Sequence, residues 1–383
     1  MDFTINAEQR AVMDLARNLA LKHSPTPVVS WSDAGKFAWD FVRELAEHGL
    51  TGIDLPESVG GQGQTLLDSV LVIEAIGAVA PHLADAIHIT NFGAVRQIAA
   101  FAETETLAGV LREILAGTAL PSIAMTEPEV GSAVSHLRTA ARIERDRVVV
   151  NGQKIFNTNG PVATHYVVWA RFGPAPQEVG AVVVPADAPG FSRGADERFI
   201  SGEPHCALHF DEVELPADYV LLRTDGIRRM ISIFNIERIG NAARSLALGE
   251  LALALAQEHM TQRITGGKPL SAHQGLRWKI ADMRTRLDAA RLLIYRAALD
   301  LDGNGAPRAS NVAIAKLTAN EAGFAAADAS LQIFGGSGYS SGSAIDYIWR
   351  RTRGWQIAGG SLEVLRNRIA DEMFKGRVPA LWG

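Results

Sequence analysis

The first 119 residues place apolar and polar side chains with the period of an α-helix. Apolar residues recur every third or fourth position in four segments, 12–19, 37–45, 66–76 and 107–115. This spacing puts the apolar side chains on one face, so each segment predicts an amphipathic helix. The segment DLPESVGGQGQ, which precedes the third helix, contains one proline and three glycines and predicts a loop.

The periodicity changes near Pro121. From residue 139 to 222 the chain has short runs rich in β-branched residues, separated by turn residues: RVVVNGQKIF, HYVVWARF, GAVVVPAD and CALHFDEVELP. Asn151-Gly152 lies between two such runs and predicts a β-hairpin, because both residues tolerate positive φ. No long helical pattern separates the runs, which favours an antiparallel sheet or small barrel over a parallel sheet.

The helical period returns after Gly226 and continues to the end of the chain. Segments 227–263, 274–301, 310–334 and 361–374 each predict a helix. The expected fold is therefore α+β and multidomain. An all-α N-terminal domain (1–119) precedes a middle β-barrel or β-sandwich (120–225), and a C-terminal four-helix bundle follows (226–383).

Composition narrows the function classes. The chain has 383 residues, of which 47% are hydrophobic and 21% charged, and its formal net charge is −5. Nucleic-acid binding needs a basic surface, so this class is excluded. The longest apolar tract, 246–256, contains Glu250 and is too short to cross a membrane. The acidic N-terminus predicts no targeting signal, and the single Cys206 favours a reducing compartment, so we expect a cytoplasmic protein.

A metal site is not expected. His205, Cys206 and His209 lie close together in the sequence, but they belong to a run with strand character. Alternation along a strand would send these side chains to opposite faces of the sheet. The spacing therefore does not favour a common metal ion.

Several segments together resemble acyl-CoA dehydrogenases. These are LPESVGGQG near the N-terminus, AMTEPEVGS and NGQKIFNTNG in the middle, and NIERIGNAARSLALGELALALA, IFGGSGY and RNRIADEMF in the C-terminal part. The similarity is collinear over nearly the whole chain. The resemblance implies the fold described above, an FAD cofactor and an acyl-CoA substrate.

The resemblance also implies which residues contact the flavin and the substrate. The flavin contacts are expected at Met125, Thr126, Ser132, Phe156 and Thr158, where Phe156 stands at a position usually held by tryptophan. Arg263, Gln274, Gln332, Gly335 and Gly336 would contact the FAD of a neighbouring subunit, and Ser361 and Glu363 the FAD of their own. Ser132, Asn235 and Arg238 are the expected substrate-binding residues.

The catalytic base departs from the common family pattern. Most members carry a glutamate in a loop just before the last helix, and this chain has Gly359 there. Gly359 keeps only a backbone N–H, which the resemblance assigns to the thioester carbonyl. Isovaleryl- and long-chain-type members instead carry the base immediately before the substrate-site arginine. That position is Glu237, followed by Arg238, so Glu237 is the expected base.

The resemblance therefore implies oxidation of an acyl-CoA to its trans-2-enoyl-CoA, with electrons passed to an electron-transfer flavoprotein. The expected assembly is a homo-oligomer, either a dimer or a tetramer, or a hetero-oligomer with a related subunit. Three alternatives stay open because the loop glutamate is missing. They are a desulfinase acting on a sulfinyl acyl-CoA, a flavin monooxygenase, and a silent subunit of a hetero-oligomer.

Overall fold

The computed structural model describes residues 4–24, 37–301, 305–376 and 378. The chain divides into two compact units. The helical unit comprises residues 1–33, 66–85 and 237–383, and the sheet unit comprises residues 34–65 and 86–236. The three domains expected at 1–119, 120–225 and 226–383 stay a prediction. Within the described ranges, no helix is long and apolar enough to cross a bilayer.

The helices confirm the predicted helical segments and add others. In chain order they are α1 (Ala7–His23), α2 (Trp39–Glu47), α3 (Leu66–Gly77), α4 (Ala84–Asn91), α5 (Ala94–Phe101), α6 (Glu105–Leu115), α7 (Gly226–Gln262), α8 (Gln274–Leu299), α9 (Ala309–Phe334), α10 (Ala344–Trp355) and α11 (Leu362–Phe374). Polar side chains define several helix starts. Asn6 and Gln9 form a capping box at α1, and Ser343 accepts the Asp346 backbone N–H at α10.

The strands lie in the sheet unit, apart from one short ribbon. They are β1 (Pro121–Ala124), β2 (Ala140–Glu144), β3 (Arg147–Thr158), β4 (His165–Arg171), β5 (Val179–Pro185), β6 (Phe191–Arg193), β7 (Glu197–Arg198), β8 (Pro204–Pro216) and β9 (Val220–Leu222). The ribbon pairs β10 (Ile264–Thr265) with β11 (Lys268–Pro269) in the helical unit.

The sheet packs on both faces. Its main strand order is β6-β8-β3-β2-β4-β5-β9, and most pairs are antiparallel. β1 and β4 pair in parallel. Along β4, Val167 and Trp169 join one apolar cluster, which also holds residues of α5 and α6, whereas Tyr166 and Val168 join a second cluster. The sheet is sandwich-like and is not a closed barrel, which confirms the predicted middle β domain.

The predicted hairpin at Asn151-Gly152 is wrong. β3 runs through both residues, with a shift in its pairing to β8 between Val150 and Gly152. The tight turn lies instead at 145–146, between β2 and β3. Gly152 has φ +142°, and a Cβ there would lie 2.7 Å from Thr139 Oγ1. Glycine is needed because two backbone segments approach closely, and the result is a bulge in a long strand.

Three helices, α4, α5 and α10, were not predicted. In α4 the apolar residues and also Asp85, His88, Thr90 and Asn91 are buried. A helix that is buried on every side has no polar face, so its sequence lacks the amphipathic period. In α10 the arginines at 350, 351 and 353 obscure an apolar stripe that includes Ile345, Ile348 and Trp355.

Gly323 allows α9 to approach α7. A Cβ at this position would lie 2.4 Å from the Ser245 backbone oxygen. Gly323→Ala should therefore lower the free energy of unfolding by roughly 1–3 kcal/mol, even though alanine gains about 1 kcal/mol in helix propensity. Gly109→Ala in α6 is the matched control, since its nearest contact would be Arg112 Nη2 at 3.7 Å. Urea unfolding of this control should show equal or higher stability. Stabilisation of both variants would contradict the close approach.

Candidate active site

Glu237 and Arg238 lie on α7 in the helical unit. The neighbouring Phe234 and Ile239 are buried, and the side chains of Glu237 and Arg238 are partly buried. Burial raises the pKa of Glu237 to about 7, although Arg244, Arg238 and Lys316 oppose this by Coulombic attraction. A carboxyl group with a pKa near neutrality can both accept and release a proton at physiological pH.

A two-glycine loop connects α10 to α11 beside these residues. Gly359 and Gly360 both have left-handed backbone, with φ of +71° and +94°. Arg238 Nε donates to the Gly359 carbonyl oxygen at 3.0 Å. A Cβ at Gly359 would lie 3.4 Å from Lys316 Cε, which is an ordinary contact. The backbone conformation, rather than a lack of space, therefore favours glycine at this position.

Lys316 on α9 holds the same loop from a fully buried position. Its Nζ donates to the Gly360 carbonyl at 3.0 Å and to the Trp355 carbonyl at 3.1 Å. Burial, together with the nearby charge of Arg238, lowers the Lys316 pKa to about 7, while Glu237 acts in the opposite direction. Sequence reasoning missed Lys316. The sequence feature that could have pointed to it is a single lysine among mostly apolar residues on a predicted helix.

A buried ionic cluster forms around Arg244, which follows Glu237 by seven residues on α7. Arg244 Nη1 lies 2.5 Å from Asp85 Oδ1, and Arg351 Nη2 lies 2.8 Å from both Asp85 oxygens. Both guanidinium groups pack on the Trp355 ring, with centroid distances of 5.2 Å for Arg244 and 4.8 Å for Arg351. Burial would raise the Asp85 pKa, but the two arginines outweigh it and lower it. This cluster was also missed.

In the sheet unit, the residues expected to contact the flavin lie on two adjoining segments. Thr126 O accepts the Ile155 N–H at 2.9 Å, and Ser122 Oγ donates to Thr158 O at 3.0 Å. Lys154 Nζ donates to Met125 O at 3.1 Å. These bonds bring Met125 and Thr126 beside a second shift in the pairing of β3 with β8, between Lys154 and Asn157. We call residues 125, 126, 156 and 158 the β3 edge.

The β3 edge presents an aromatic ring to the surface. Phe156 is 56% exposed and has φ +57°, which is unusual for a bulky residue. Strained backbone of this kind recurs at functional sites, which favours a functional hypothesis for Phe156. Ser132 is exposed on a neighbouring loop.

The other expected cofactor residues lie at one end of the helical unit. Met260, Leu270, Leu276 and Ile333 form a small apolar cluster that joins the ends of α7, α8 and α9. Arg263, Gln274, Gln332, Gly335 and Gly336 surround this cluster in the sequence and are exposed. Neither Gly335 nor Gly336 has an atom within 4 Å of an added Cβ.

The remaining expected residues, Ser361, Glu363 and Asn235, differ in position and burial. Ser361 is the N-cap of α11, and its Oγ accepts the Val364 N–H at 3.4 Å. Glu363 in the first turn of α11 is exposed, and Asn235 on α7 is buried. The structure thus brings Glu237, Arg238 and Gly359 together in the helical unit, and Met125, Thr126, Phe156 and Thr158 together in the sheet unit.

Comparison with protein families identifies three matching profiles in order along the chain. They describe the N-terminal, middle and C-terminal domains of acyl-CoA dehydrogenase, and they match residues 6–118, 122–213 and 224–374. An acyl-CoA dehydrogenase of Bacillus subtilis is 31% identical over 377 residues, covering 97% of this chain and 99% of the relative.

Two further relatives differ in their described reactions. A 3-sulfinopropanoyl-CoA desulfinase of Advenella mimigardefordensis is 30% identical over 388 residues, covering 98% of this chain and 96% of the relative. The structure of butyryl-CoA dehydrogenase from Megasphaera elsdenii superposes with a TM-score of 0.90 at 30% identity, covering 98% of this chain and all of that one.

Lys316→Met should change how stability depends on pH. The folded chain releases the Lys316 proton near pH 7, whereas an ordinary lysine holds it to 10.5. Between these values the unfolded chain binds more protons, so the unfolding free energy of the parent protein rises with pH. The contribution is at most about 1.4 kcal/mol per pH unit, and Lys316→Met should lack it.

The measurement is urea unfolding of both proteins at several pH values between 6 and 9. Lys279→Met on the exposed surface of α8 is the matched control, and it should follow the parent protein. Parallel stability curves for the Lys316→Met variant and the parent would show that Lys316 keeps its proton throughout this range.

Proposed function

The chain belongs to the acyl-CoA dehydrogenase family, and from this premise we propose that it oxidises an acyl-CoA thioester to the trans-2-enoyl-CoA with Glu237 as the base. The observation that carries the proposal is the position of Glu237. This carboxyl group has a pKa raised to about 7, and its neighbour Arg238 binds the loop that contains Gly359. The loop itself offers no side-chain base, because Ile357, Ala358 and both glycines cannot take a proton.

The cofactor is FAD, and the residues present fit it. The exposed ring of Phe156 can cover an isoalloxazine, and Met125, Thr126 and Thr158 on the same edge can contact its rim. When bound, FAD supplies the acceptor for the hydride that leaves Cβ. Gly335 and Gly336 offer an open backbone that a phosphate can approach. Ser132, Ser361 and Glu363 are the further proposed contacts.

Glu237 removes the α-proton in this proposal. The acidity of a thioester α-carbon is low, so the base must be deprotonated before it acts and must have substantial proton affinity. A surface glutamate is deprotonated at neutral pH but is a weak base. Burial gives Glu237 a higher proton affinity, and the cations Arg238, Arg244 and Lys316 keep part of its population ionised at pH 7.

The loop supplies the second element of the site. The Gly359 N–H would donate to the thioester carbonyl, where negative charge develops as the α-proton leaves. Arg238 and Lys316 hold the loop by two consecutive carbonyl groups. Such preorganisation is valuable because a donor that is already oriented costs no rearrangement during the reaction. Asn235 and Arg238 are the proposed substrate-binding residues on α7.

The proposed partners follow from the same assignment. Acyl-CoA is the substrate, and an electron-transfer flavoprotein would accept the electrons. Arg263, Gln274 and Gln332 are exposed at one end of the helical unit, and we assign them to the FAD of a neighbouring subunit. A monomer would then have an incomplete cofactor site, so the proposed assembly has at least two subunits.

A desulfinase is the second candidate. Its support is the 30% identity to a 3-sulfinopropanoyl-CoA desulfinase over 98% of this chain, together with the missing loop glutamate. The two reactions differ in their products. Dehydrogenation reduces the flavin and needs an electron acceptor, whereas desulfination of 3-sulfinopropanoyl-CoA releases a sulfur oxyanion. Sulfite analysis beside anaerobic flavin spectroscopy therefore separates these candidates.

Glu237→Gln should slow anaerobic flavin reduction by an acyl-CoA substrate by roughly 10²–10⁴-fold, because it removes the general base while preserving side-chain size. FAD content and fold should be retained. In the parent protein the reduction rate should rise with pH and level off above about pH 7, as Glu237 becomes ionised. The variant should lose this dependence. Stopped-flow absorbance over a pH series measures both effects.

The matched control for this variant is Glu258→Gln. Glu258 lies on the same helix, and it is exposed. This substitution should leave the reduction rate unchanged. Reduction of the Glu237→Gln enzyme at the parent rate with a competent substrate would show that another group removes the α-proton.

A further inference from the structure

Lys154 is a fully buried lysine on β3, two residues before Phe156. Its ammonium group pairs with the carboxylate of Glu127, which follows Thr126 directly. We infer that this ion pair positions the β3 edge and the loop of Ser132 for the flavin, so that Lys154 and Glu127 are positioning residues of the cofactor site. The inference rests on the proposed flavin contacts and adds the residues that hold them in place.

Lys154 joins β3 to the segment that carries two expected flavin contacts. Its Nζ donates to the Met125 carbonyl at 3.1 Å and to Glu127 Oε1 at 2.8 Å. The Ile155 N–H, one residue further along β3, donates to the Thr126 carbonyl at 2.9 Å. Two consecutive carbonyl groups before Glu127 are therefore bound to β3. These bonds fix the backbone from which the side chains of Met125 and Thr126 project.

Glu127 closes the loop that contains Ser132. Its Oε2 accepts the Arg138 N–H at 2.7 Å, and its Oε1 accepts the Thr139 N–H at 2.9 Å. One buried carboxylate thus binds both ends of the segment 127–139, in which Ser132 is exposed. Closing the ends of a loop limits its conformations, so less entropy is lost when a loop residue is ordered against a ligand.

Stability alone does not require an ion pair at this place. The Lys154 side chain is fully buried, and that of Glu127 is 5% exposed. Two buried charges lose their hydration, and well-packed apolar residues of similar volume often give equal or higher stability. An apolar pair, however, could not bind the backbone groups of residues 125, 138 and 139. The backbone geometry that the ion pair imposes therefore gives a physical reason for its presence.

The pair is ionic at neutral pH. Burial lowers the pKa of Lys154 to about 8, and attraction to Glu127 opposes this shift. Burial would raise the pKa of Glu127, but attraction to Lys154 and the hydrogen bonds that the carboxylate accepts outweigh it and lower this pKa. Charge-assisted hydrogen bonds are shorter and stronger than neutral ones, so the pair can hold the adjoining backbone in a fixed geometry.

The experiment measures how tightly the protein binds FAD and what surrounds the bound flavin. Release of FAD from the loaded protein on dilution, followed by the fluorescence of free flavin, gives the Kd. Visible absorption and circular dichroism spectra report the surroundings of the bound flavin. We expect Lys154→Met to raise the FAD Kd by at least about tenfold and to change both spectra, because the Met125 carbonyl loses its donor.

Leu215→Ala is the matched control. Leu215 is buried on β8 in the sheet unit, and it pairs with Val148 on β3, six residues before Lys154. Six residues of strand span about 20 Å, so this variant loses core packing far along the strand from the β3 edge. It should unfold at a lower temperature but keep the parent Kd and spectra. An equal rise in Kd in both variants would show that the loss follows from stability, and it would overturn the inference.

Glu127→Gln keeps the inference testable where Lys154→Met does not fold. Glutamine preserves the size of the side chain and one acceptor oxygen, but it removes the charge that pairs with Lys154. This variant should also raise the FAD Kd and change the flavin spectra, by less than Lys154→Met does. Parent values of the Kd and of both spectra in either folded variant overturn the inference.

Phe156→Ala distinguishes failure of this inference from failure of the proposed contacts. Phe156 belongs to the β3 edge itself, so its loss should change the flavin spectra directly. A change in Phe156→Ala but not in Lys154→Met rejects the positioning role and keeps the proposed contacts. Unchanged spectra in Phe156→Ala reject the contacts and, with them, the inference. These measurements need no turnover, so they are independent of the proposed reaction.

Discussion

Two buried or partly buried cations hold one loop by its backbone, and the candidate active site depends on this arrangement. Arg238 on α7 binds the Gly359 carbonyl, and Lys316 on α9 binds the carbonyl of Gly360. The loop has left-handed backbone at both glycines, so its conformation is set by helices on either side. Glu237 precedes Arg238 directly on α7, so the same contact keeps the backbone of Glu237 close to the loop.

The balance between burial and charge differs at the two carboxylates of the site. At Asp85, burial would raise the pKa, but Coulombic attraction to Arg351 and Arg244, together with their hydrogen bonds, exceeds this cost, so its pKa falls. At Glu237, three cations act through Coulombic attraction, and burial prevails, so its pKa rises to about 7. The hydrogen bonds of the arginines add to their Coulombic attraction at Asp85, whereas Coulombic attraction alone opposes burial at Glu237. Asp85 therefore stays ionised at neutral pH, whereas Glu237 can exchange its proton.

Much of the fold could be predicted from local patterns, because amphipathic helices and half-buried strands leave a periodic signal. The segments that became α1, α3, α7, α8 and α9 were predicted for this reason. The periodic signal is missing where a helix is buried on all sides. A local motif is also misleading where a residue is required by a contact with a segment distant in the sequence. α4 is buried on all sides and has no polar face. Gly152 allows close approach to Thr139, which precedes it by thirteen positions, and not a local turn.

The sequence by itself determined the family, the order of helical and sheet segments, the loss of the loop glutamate at Gly359 and the candidate base Glu237. These depend on residue identity at positions within short, recognisable segments. Only the tertiary structure decided the surroundings of that base. Lys316 lies 79 positions from Glu237 along the chain, and Asp85 lies 159 positions from its partner Arg244. These residues meet through helix packing. The physical reason is that burial and Coulombic attraction depend on distances in space, which the periodicity of separate segments does not specify.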